Sequence, residues 1–247
     1  MIKADIQFVR SLADKRVRDQ ERLFVAEGSK LTEEILTSGF AVRRIYTTRH
    51  DLKGKNIEVV EQREMERISQ LKTANDTLAV VEQPRYKLSV NELRGKLTIA
   101  LDGVQNPGNL GTIIRLADWF GVEDIICSRD TADCFNPKVI QATMGAILRV
   151  RVHYTDNLPA LLSDAHSEGL NIYGTLLDGG NIYDESLDAS GIIVMGNEGR
   201  GITEETRKAL THRLLIPPYP ADAPTSESLN VAMATGIILA EFRRQHR

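Results

Sequence analysis

The fold class of this chain is decided by one stretch, Leu101-Asp102-Gly103-Val104-Gln105-Asn106-Pro107-Gly108-Asn109-Leu110-Gly111-Thr112-Ile113-Ile114-Arg115. It begins at the end of an apolar run, residues 97–101, which predicts a buried strand. Asn, Pro and Gly residues after Asp102 predict a loop, and Asn109 is a suitable N-cap for a helix that runs to about Phe120. A strand, a polar loop and a helix in this order are typical of the edge where α/β proteins bind ligands. Taken alone, the pattern is also that of an ordinary βα turn with a solvated arginine.

Two later stretches repeat this transition from an apolar strand to a polar loop. The first is Ile192-Ile193-Val194-Met195-Gly196-Asn197-Glu198-Gly199-Arg200-Gly201. The second is Leu214-Leu215-Ile216-Pro217, followed after a loop by Ser228-Leu229-Asn230-Val231-Ala232-Met233-Ala234-Thr235-Gly236. In this order, the three stretches resemble the three motifs of the SpoU-type RNA ribose 2′-O-methyltransferases, a branch of the SPOUT (TrmH-like) superfamily. The resemblance covers roughly residues 95–247.

This resemblance implies a homodimeric enzyme that transfers a methyl group from S-adenosylmethionine to a ribose 2′-hydroxyl of structured RNA. It carries over five catalytic residues, Arg115, Asn109, Glu198, Ser228 and Asn230. It also carries over five residues of the S-adenosylmethionine pocket, Thr175, Gly196, Gly199, Ile216 and Leu229. No metal is expected, because none of the five His residues has metal-ligand spacing with a Cys or another His.

Arg115 is the residue to which the resemblance assigns catalysis. A guanidinium has no hydrogen-bond acceptor and stays protonated, so it is poorly suited to accept a proton. We therefore interpret Arg115 as a group that binds the adjacent phosphate and stabilises developing alkoxide charge, while a phosphate oxygen or a water takes the proton. The resemblance places Glu198 near the cofactor and Arg115. It assigns Asn109, Ser228 and Asn230 to positioning the ribose, the cofactor or the arginine.

The second part of the chain alternates Val- and Ile-rich segments with helical segments, which predicts a mostly parallel sheet with helices on both faces. The predicted strands are 97–101, 124–127, 150–154, 171–176, 192–195 and 213–216. The predicted helices are 109–120, 137–147, 158–167, 203–210 and 229–243, with Ser228 as a candidate cap for the last one. The resemblance adds a C-terminal trefoil knot. Residues 218–227 form a longer and more proline-rich loop than the family usually has at this place.

The first part of the chain predicts a smaller α/β domain. Residues 1–30 carry seven basic and five acidic side chains, as on a solvated amphipathic helix. Three stretches, 23–28, 73–76 and 78–81, resemble the RNA-binding domain that is often fused to SpoU-type enzymes and is similar to a small ribosomal protein. The residues alone fit a dimerisation or spacer domain equally well. The predicted division is a substrate RNA-binding domain at 1–88, a linker at 89–95 and a methyltransferase domain at 96–247.

The composition is that of a globular protein, with 42% hydrophobic and 26% charged residues in 247. No apolar run reaches 18 residues, so we expect a cytoplasmic protein without a membrane partner. The two cysteines, Cys127 and Cys134, are predicted to be buried thiols. A net charge of −3 gives no general support for nucleic-acid binding, so RNA contacts are expected from local patches.

Several functions are compatible with these patterns. Ribosomal RNA is favoured as the substrate because the first domain looks more like that of the rRNA enzymes, and transfer RNA is the alternative. A non-catalytic RNA-binding protein on the same fold is a second alternative, which the joint presence of the five catalytic residues opposes. A small-molecule α/β enzyme is a third, and a pI of about 6.0 mildly favours it.

Overall fold

The computed structural model of the chain describes residues 1–220, 226 and 228–246. Most of the predicted long loop, 218–227, therefore lies outside the described residues. The chain forms two compact units, the first made of Met1–Arg85 with Asp133–Leu148 and the second of Tyr86–Ala132 with Arg149–Arg247. This division differs from the predicted one in that residues 133–148 belong to the first unit.

The strands and helices are numbered here along the whole chain. The strands are β1 (Leu23–Glu27), β2 (Val42–Thr47), β3 (Ile57–Val59), β4 (Thr77–Glu82), β5 (Leu97–Asp102), β6 (Asp124–Ser128), β7 (Arg151–Thr155), β8 (Ile172–Asn181), β9 (Gly191–Gly196) and β10 (His212–Leu215). The helices are α1 (Lys3–Ser11), α2 (Lys15–Glu21), α3 (Ser29–Thr37), α4 (Gln62–Ile68), α5 (Pro107–Trp119), α6 (Pro137–Thr143), α7 (Leu158–Ser167), α8 (Glu204–Arg207) and α9 (Val231–Gln245).

The sheet of the second unit has the strand order β10-β8-β9-β5-β6-β7 within the described residues. Every neighbouring pair in it is parallel, which confirms the predicted sheet. β5 and β9 lie at its centre and are buried along almost their whole length, as expected of strands covered by helices. The C-terminal knot stays a prediction.

The first unit contains a second sheet, with the order β1-β4-β2-β3. β4 is antiparallel to both of its neighbours, while β2 and β3 are parallel. A separate core supports this sheet, and it includes Val9 from α1, Met65 from α4 and Leu78 from β4. Residues 1–30, whose charges are those of a solvated amphipathic helix, contain two short helices followed by a strand. They form α1, α2 and β1, because Asp14 caps a new helix by accepting from the backbone N–H of Arg16.

Residues 133–148 belong to the first unit through specific contacts of their side chains. Asp133 accepts two hydrogen bonds from the buried guanidinium of Arg18, at 2.6 and 3.1 Å. Phe135 stacks on Phe24 with ring centroids 4.9 Å apart. The side-chain amide of Gln141 donates to the carbonyl of Glu27 at 2.8 Å. These partners are about 115 residues apart in the chain, so local sequence patterns gave no indication of them.

The long central helix α5 begins earlier than predicted, and Asn109 is not its N-cap. The N-cap is Asn106, whose side-chain oxygen accepts from the backbone N–H groups of Gly108 and Asn109 at 2.8 and 3.2 Å. Pro107 occupies the first helical position, where its fixed φ suits the helix and its missing N–H costs nothing. Asn109 therefore lies inside the first turn, and its side chain is available for other contacts.

Replacing Asn106 by Ala is expected to lower the free energy of unfolding by about 1 kcal/mol, because two backbone N–H groups lose their acceptor. Chemical denaturation monitored by circular dichroism measures this change. The matched control is Gln105→Ala, since Gln105 precedes the cap and is exposed. The control should change the free energy of unfolding by less than about 0.5 kcal/mol. Equal losses in the two variants would contradict the assigned cap.

Other helix ends also differ from prediction. The last helix begins at Val231 with Asn230 as its cap, instead of at Leu229 with Ser228. The helix predicted over 137–147 ends at Thr143, because Met144 takes a left-handed conformation with φ 51°. The helix predicted over 203–210 is the single turn α8. Cys127 and Cys134 are buried thiols that form no disulfide with each other, as predicted. In the described ranges, no helix has the length and apolarity that crossing a membrane requires.

Candidate active site

The loops that follow β5 and β9 leave the second unit's sheet side by side. Asp102 and Gly196 are the last residues of these two parallel strands, and they are paired in register. The loop after β5 leads into α5, whose first turn carries Asn109, while the loop after β9 carries Glu198. The carboxyl edge of the sheet therefore brings the first two predicted motifs together, as parallel sheets do at their ligand-binding edges.

Glu198 connects these two loops. Its carboxylate accepts three hydrogen bonds, from the side-chain amide of Asn109 at 2.9 Å and from the backbone N–H groups of Asn106 and Gln105 at 3.2 and 3.3 Å. The carboxylate is exposed, and its partners are N–H groups of the first motif.

Asn230 joins the third motif to the same group. Its side-chain NH₂ donates to Oδ1 of Asn109 at 3.0 Å, while its own Oδ1 accepts from the backbone N–H groups of Ala232 and Met233 at the start of α9. Backbone N–H groups are donors only, so they fix the orientation of the Asn230 amide. Asn230 in turn fixes the amide of Asn109, whose NH₂ is left to point at Glu198. The Glu198–Asn109–Asn230 chain thus links all three motifs by oriented hydrogen bonds.

The charge state of Glu198 follows from these contacts. Partial burial acts to raise the pKa of this carboxyl, but the hydrogen bonds from Asn109 and the backbone outweigh burial and lower its pKa below the usual value. Glu198 is therefore a carboxylate at neutral pH. In that state it can accept hydrogen bonds and orient amides, but it cannot act as a general acid.

A cleft of about 600 Å³ lies beside this hydrogen-bonded chain. Its lining includes every predicted cofactor residue and two of the predicted catalytic ones, namely Thr175, Gly196, Gly199, Ile216, Leu229, Glu198 and Ser228. Apolar side chains such as Met195, Leu214 and Ile238 complete the wall. A volume of this size with apolar walls and a few fixed polar groups suits a nucleoside-sized ligand.

Gly196 is required by the turn at the mouth of the cleft. Residues 197 and 201 exchange two backbone hydrogen bonds, each 3.0 Å long, so the chain folds back over the end of β9. A Cβ atom on Gly196 would lie 2.3 Å from the carbonyl carbon of Gly201 and 2.4 Å from the nitrogen of Ile202. Only glycine fits there, because real Cβ contacts are never so short.

Asn197 was missed by sequence reasoning, although it organises the same turn. Its Oδ1 accepts from the backbone N–H groups of Gly199 and Arg200, and its Nδ2 donates to the carbonyl of Gly103 at 2.6 Å. An Asn directly after a strand and before a Gly-rich segment is typical of a side chain that closes a turn on its own backbone. The turn could therefore have been predicted from the sequence, but the hydrogen bond to Gly103, 94 residues away, could not.

The comparisons with known proteins agree with this arrangement. The family model described as the SpoU rRNA Methylase family matches residues 96–240, which is more than half of the chain. The chain belongs to the SpoU rRNA methylase family. A second family model, described as an MRM3-like substrate binding domain, matches residues 3–79 of this SpoU family member.

Individual relatives give the same result. The SpoU chain is 31% identical over 241 residues to the 23S rRNA (guanosine(2553)-2′-O)-methyltransferase RlmP of Bacillus subtilis (strain 168), covering 95% of this chain and 94% of the relative. Its fold is similar to that of a TrmH-family protein from Porphyromonas gingivalis, with a TM-score of 0.88 and 38% identity over 99% of each chain. It is also similar to an S-adenosylmethionine-bound rRNA methyltransferase from Sinorhizobium meliloti, with a TM-score of 0.86, 29% identity, and coverage of 98% of this chain and 95% of that one.

Membership of the SpoU family confirms the predicted enzyme class and cofactor. The chain is an S-adenosylmethionine-dependent RNA methyltransferase. The residues present fit that cofactor, because the cleft combines apolar walls for a flat base with backbone groups of the Gly196 turn. The roles assigned to the individual site residues stay predictions.

Arg115 lies apart from the other predicted catalytic residues of this SpoU enzyme. It lies on α5, and the 100° turn per residue of an α-helix places it on a different face from Asn109. Its side chain is exposed, and it makes no hydrogen bond or ion pair with any other residue in the described ranges. An exposed guanidinium without an internal partner retains all its donors for an anion brought by a substrate.

Proposed function

We propose that this protein transfers a methyl group from S-adenosylmethionine to a ribose 2′-hydroxyl of ribosomal RNA. The observation that carries the proposal is the oriented Glu198–Asn109–Asn230 chain beside the 600 Å³ cleft. The names of the relatives support the substrate, since the Bacillus subtilis protein is named for guanosine 2′-O-methylation of 23S rRNA. An enzyme that acts on ribosomal RNA works where that RNA is found, so the proposal keeps the predicted cytoplasmic location.

Positioning is the main task of the residues on this chain. Bound S-adenosylmethionine supplies an activated methyl group on a sulfonium, which is already a good leaving group. The chain must hold the ribose hydroxyl in line with that methyl group, since alignment supplies much of the rate enhancement in such a displacement. Asn109 and Asn230 are held rigidly enough to align the hydroxyl, because in each residue the side-chain NH₂ donates one hydrogen bond and the side-chain oxygen accepts another. Ser228 and Leu229 lie at the cleft and complete the proposed binding surface.

Arg115 is proposed to stabilise charge on the RNA. Its guanidinium binds the phosphate next to the target ribose and favours the alkoxide character that develops as the hydroxyl loses its proton. A guanidinium cannot accept that proton, so a phosphate oxygen or a water molecule takes it. Glu198 stays ionised and holds the first-motif loop through its three N–H partners.

Methyl transfer to defined RNAs tests the proposed function. The full chain is incubated with tritiated S-adenosylmethionine and either unmodified 23S rRNA or unmodified bulk tRNA, and ribose methylation is mapped by resistance to alkaline hydrolysis. Incorporation into 23S rRNA is expected, and incorporation into tRNA alone would shift the substrate class. Calorimetry should show micromolar binding of S-adenosylmethionine and none of NAD or ATP. RNA binding without methyl transfer would establish a non-catalytic protein instead.

We also propose that the enzyme is a homodimer that uses the exposed faces of α5 and α9. These helices pack together, with Leu116 close to Gly236. Trp119 on α5 is 83% exposed and Met233 on α9 is 64% exposed, and large apolar side chains of this kind are typical of an interface. Arg115 lies on the same exposed face of α5 as Trp119, so a second chain could complete the surroundings of Arg115. Sedimentation equilibrium giving the mass of a single chain would contradict the dimer.

The first unit is proposed to bind the substrate RNA, as the substrate-binding family model suggests. The loop after β1 and the loop before β4 lie side by side, because the N–H of Gly28 donates to the carbonyl of Thr77 at 2.8 Å. Lys30 lies in the first turn of α3, and Lys72 lies in the loop before β4. Both are exposed, and neither has a hydrogen bond or ion pair with another residue that the structure describes.

Replacing both Lys30 and Lys72 by Gln is expected to weaken RNA binding and to reduce the slope of log affinity against log salt by roughly 1.4–1.8, because two phosphate contacts are lost. Filter binding at several salt concentrations measures this slope. The matched control replaces Lys53 and Lys55 in the same way. These residues lie in the β2–β3 loop next to Asn56, whose side chain donates to the carbonyl of Val42. Val42 is at the end of β2 opposite to the end near Thr77. An unchanged slope in the first variant, or an equal change in the control, would contradict this RNA-binding edge.

A further inference from the structure

A second set of contacts lies behind the active site, around Gly103 on the loop after β5. Gly103 has φ +76°, and a Cβ atom on it would lie 2.6 Å from Nη2 of Arg200 and 2.9 Å from Oδ2 of Asp130. Arg200 and Asp130 form an ion pair. The pair therefore covers the position where any other residue would place its side chain.

The backbone of Gly103 is held from two directions. Its N–H donates to the hydroxyl of Ser128 at 2.8 Å, and that hydroxyl donates to Oδ1 of Asp130 at 2.6 Å. Its carbonyl accepts from Nδ2 of Asn197 at 2.6 Å. Asp130 thus uses one carboxylate oxygen to orient Ser128 and the other to hold Arg200. These hydrogen bonds also lower the pKa of the Asp130 carboxyl, which keeps it ionised for this role.

These contacts join the two loops that meet at Glu198. Arg200 and Asn197 belong to the loop after β9, and the backbone N–H of Arg200 donates to Oδ1 of Asn197 at 3.1 Å. Gly103 precedes Gln105 and Asn106 by only two and three residues. The N–H groups of those residues reach Glu198 at 3.3 and 3.2 Å, near the long end of the hydrogen-bond range. A small displacement of either loop would break these bonds.

Stability alone does not account for an ion pair at this place. The side chain of Arg200 is 51% exposed and that of Asp130 is 43% exposed. Exposed pairs of this kind contribute only about 0–1 kcal/mol to folding. What distinguishes this pair is its location over Gly103, between the loop of the first motif and the loop of the second.

We propose that Asp130, acting through Ser128 and Arg200, is a positioning residue for methyl transfer: it fixes the first-motif loop against the Glu198 loop. This inference rests on the proposed function and deepens it. Asp130 does not contact the cleft, and it controls the alignment of the residues that do.

The test compares Asp130→Asn, Arg200→Gln and the double variant with wild type. Each single variant is expected to lower the single-turnover methylation rate on unmodified 23S rRNA by about 10-fold, because displacements well under 1 Å are costly to an aligned reaction. The double variant should be no more than about 2-fold slower than the slower single one, because residues that act as a unit are not additive. The dissociation constant of S-adenosylmethionine for Asp130→Asn should stay within about 3-fold of wild type, since Asp130, unlike Arg200, is not among the residues that line the cleft.

The matched control is Asp156→Asn. Asp156 pairs with Arg129 on the neighbouring strand end, and both side chains are more than 70% exposed. This pair has the same chemistry but no contact with Gly103 among the described residues, so the control should methylate at the wild-type rate. The inference would be overturned if the losses of the two single variants added up in the double variant. A wild-type rate in Asp130→Asn, or an equal loss in Asp156→Asn, would also overturn it.

Hydrogen exchange separates this inference from the proposed function. Peptides covering residues 103–110 should exchange at least about 3-fold faster in Asp130→Asn than in wild type, because the amides held by Glu198 become less protected. If the wild-type enzyme methylates no RNA, the proposed function fails. Hydrogen exchange of residues 103–110 then tests by itself whether Asp130 fixes the first-motif loop. Unchanged exchange in Asp130→Asn would overturn it even if the enzyme is active.

Discussion

Replacing Arg115 by Ala or by Lys is expected to lower single-turnover methylation of 23S rRNA at least about 100-fold, a barrier increase of about 2.7 kcal/mol. Arg115 is exposed and has no internal partner among the described residues, so its donors are available to RNA. Lys should not substitute for it, because an ammonium is a point charge that cannot present the planar set of donors of a guanidinium. Single-turnover rates, S-adenosylmethionine affinity and melting temperature are measured on the same preparations.

The melting temperature and the cofactor affinity of these variants should change little, since no internal contact is removed. Arg94→Lys is the matched control, because Arg94 is also exposed in the second unit but is paired with Glu168. The control should retain the wild-type rate. A variant of Arg115 that melts much lower while it keeps its methylation rate would mean that Arg115 braces the fold, and the catalytic assignment would be withdrawn.

Replacing Gly196 by Ala is expected to cost about 3 kcal/mol of unfolding free energy, because the new methyl group would overlap backbone atoms of residues 201 and 202. A cost of this size should lower the melting temperature by roughly 6–12 °C in a chain of this length. The turn that carries Glu198 must shift to admit the methyl group. Binding of S-adenosylmethionine in the cleft beside it should therefore weaken at least about 10-fold, which corresponds to 1.4 kcal/mol.

Gly199 provides the matched control in the same turn. A Cβ atom on Gly199 would lie 3.6 Å from its nearest neighbour, Oδ1 of Asn197, which is an ordinary contact. Gly199→Ala should therefore change the unfolding free energy by less than about 0.5 kcal/mol. Calorimetry of both variants, by thermal unfolding and by cofactor titration, makes the comparison. Similar losses for the two substitutions would show that the turn is sensitive to any added methyl group and not to the close approach at Gly196.

The three motifs were predictable because each has a local signature. An apolar run followed by Asn, Pro or Gly identifies a strand that ends in a polar loop, and β5, β9 and β10 all lie where such runs occur. The parallel sheet followed from the alternation of strands with helices. The N-cap of α5 was assigned to Asn109 instead of Asn106, although Pro107 already indicated the first helical position.

Hydrogen bonds between residues far apart in the chain could not be predicted from the sequence. The hydrogen bonds of Asn109 to Glu198 and to Asn230 join residues 89 and 121 positions apart, and spacing along the chain carries no information about such pairs. The contacts of Asp130 and Arg200 around Gly103 were missed for the same reason. A lone Arg in a glycine-rich loop and a lone Asp after a strand have no distinguishing pattern until the fold brings them together.

The segment Asp133–Leu148 has a consequence for the order in which the chain can fold during synthesis. A ribosome makes β5, α5 and β6 of the second unit before it makes α6, which belongs to the first unit. Until Phe135 emerges, Phe24 lacks its stacking partner, and until Asp133 emerges the buried guanidinium of Arg18 lacks its ion-pair partner. N-terminal domains usually fold first as units during translation, but here the first unit is complete only after residue 148 has been made. A chain that begins near residue 95 would keep α6 but lack β1, the strand against which α6 packs here.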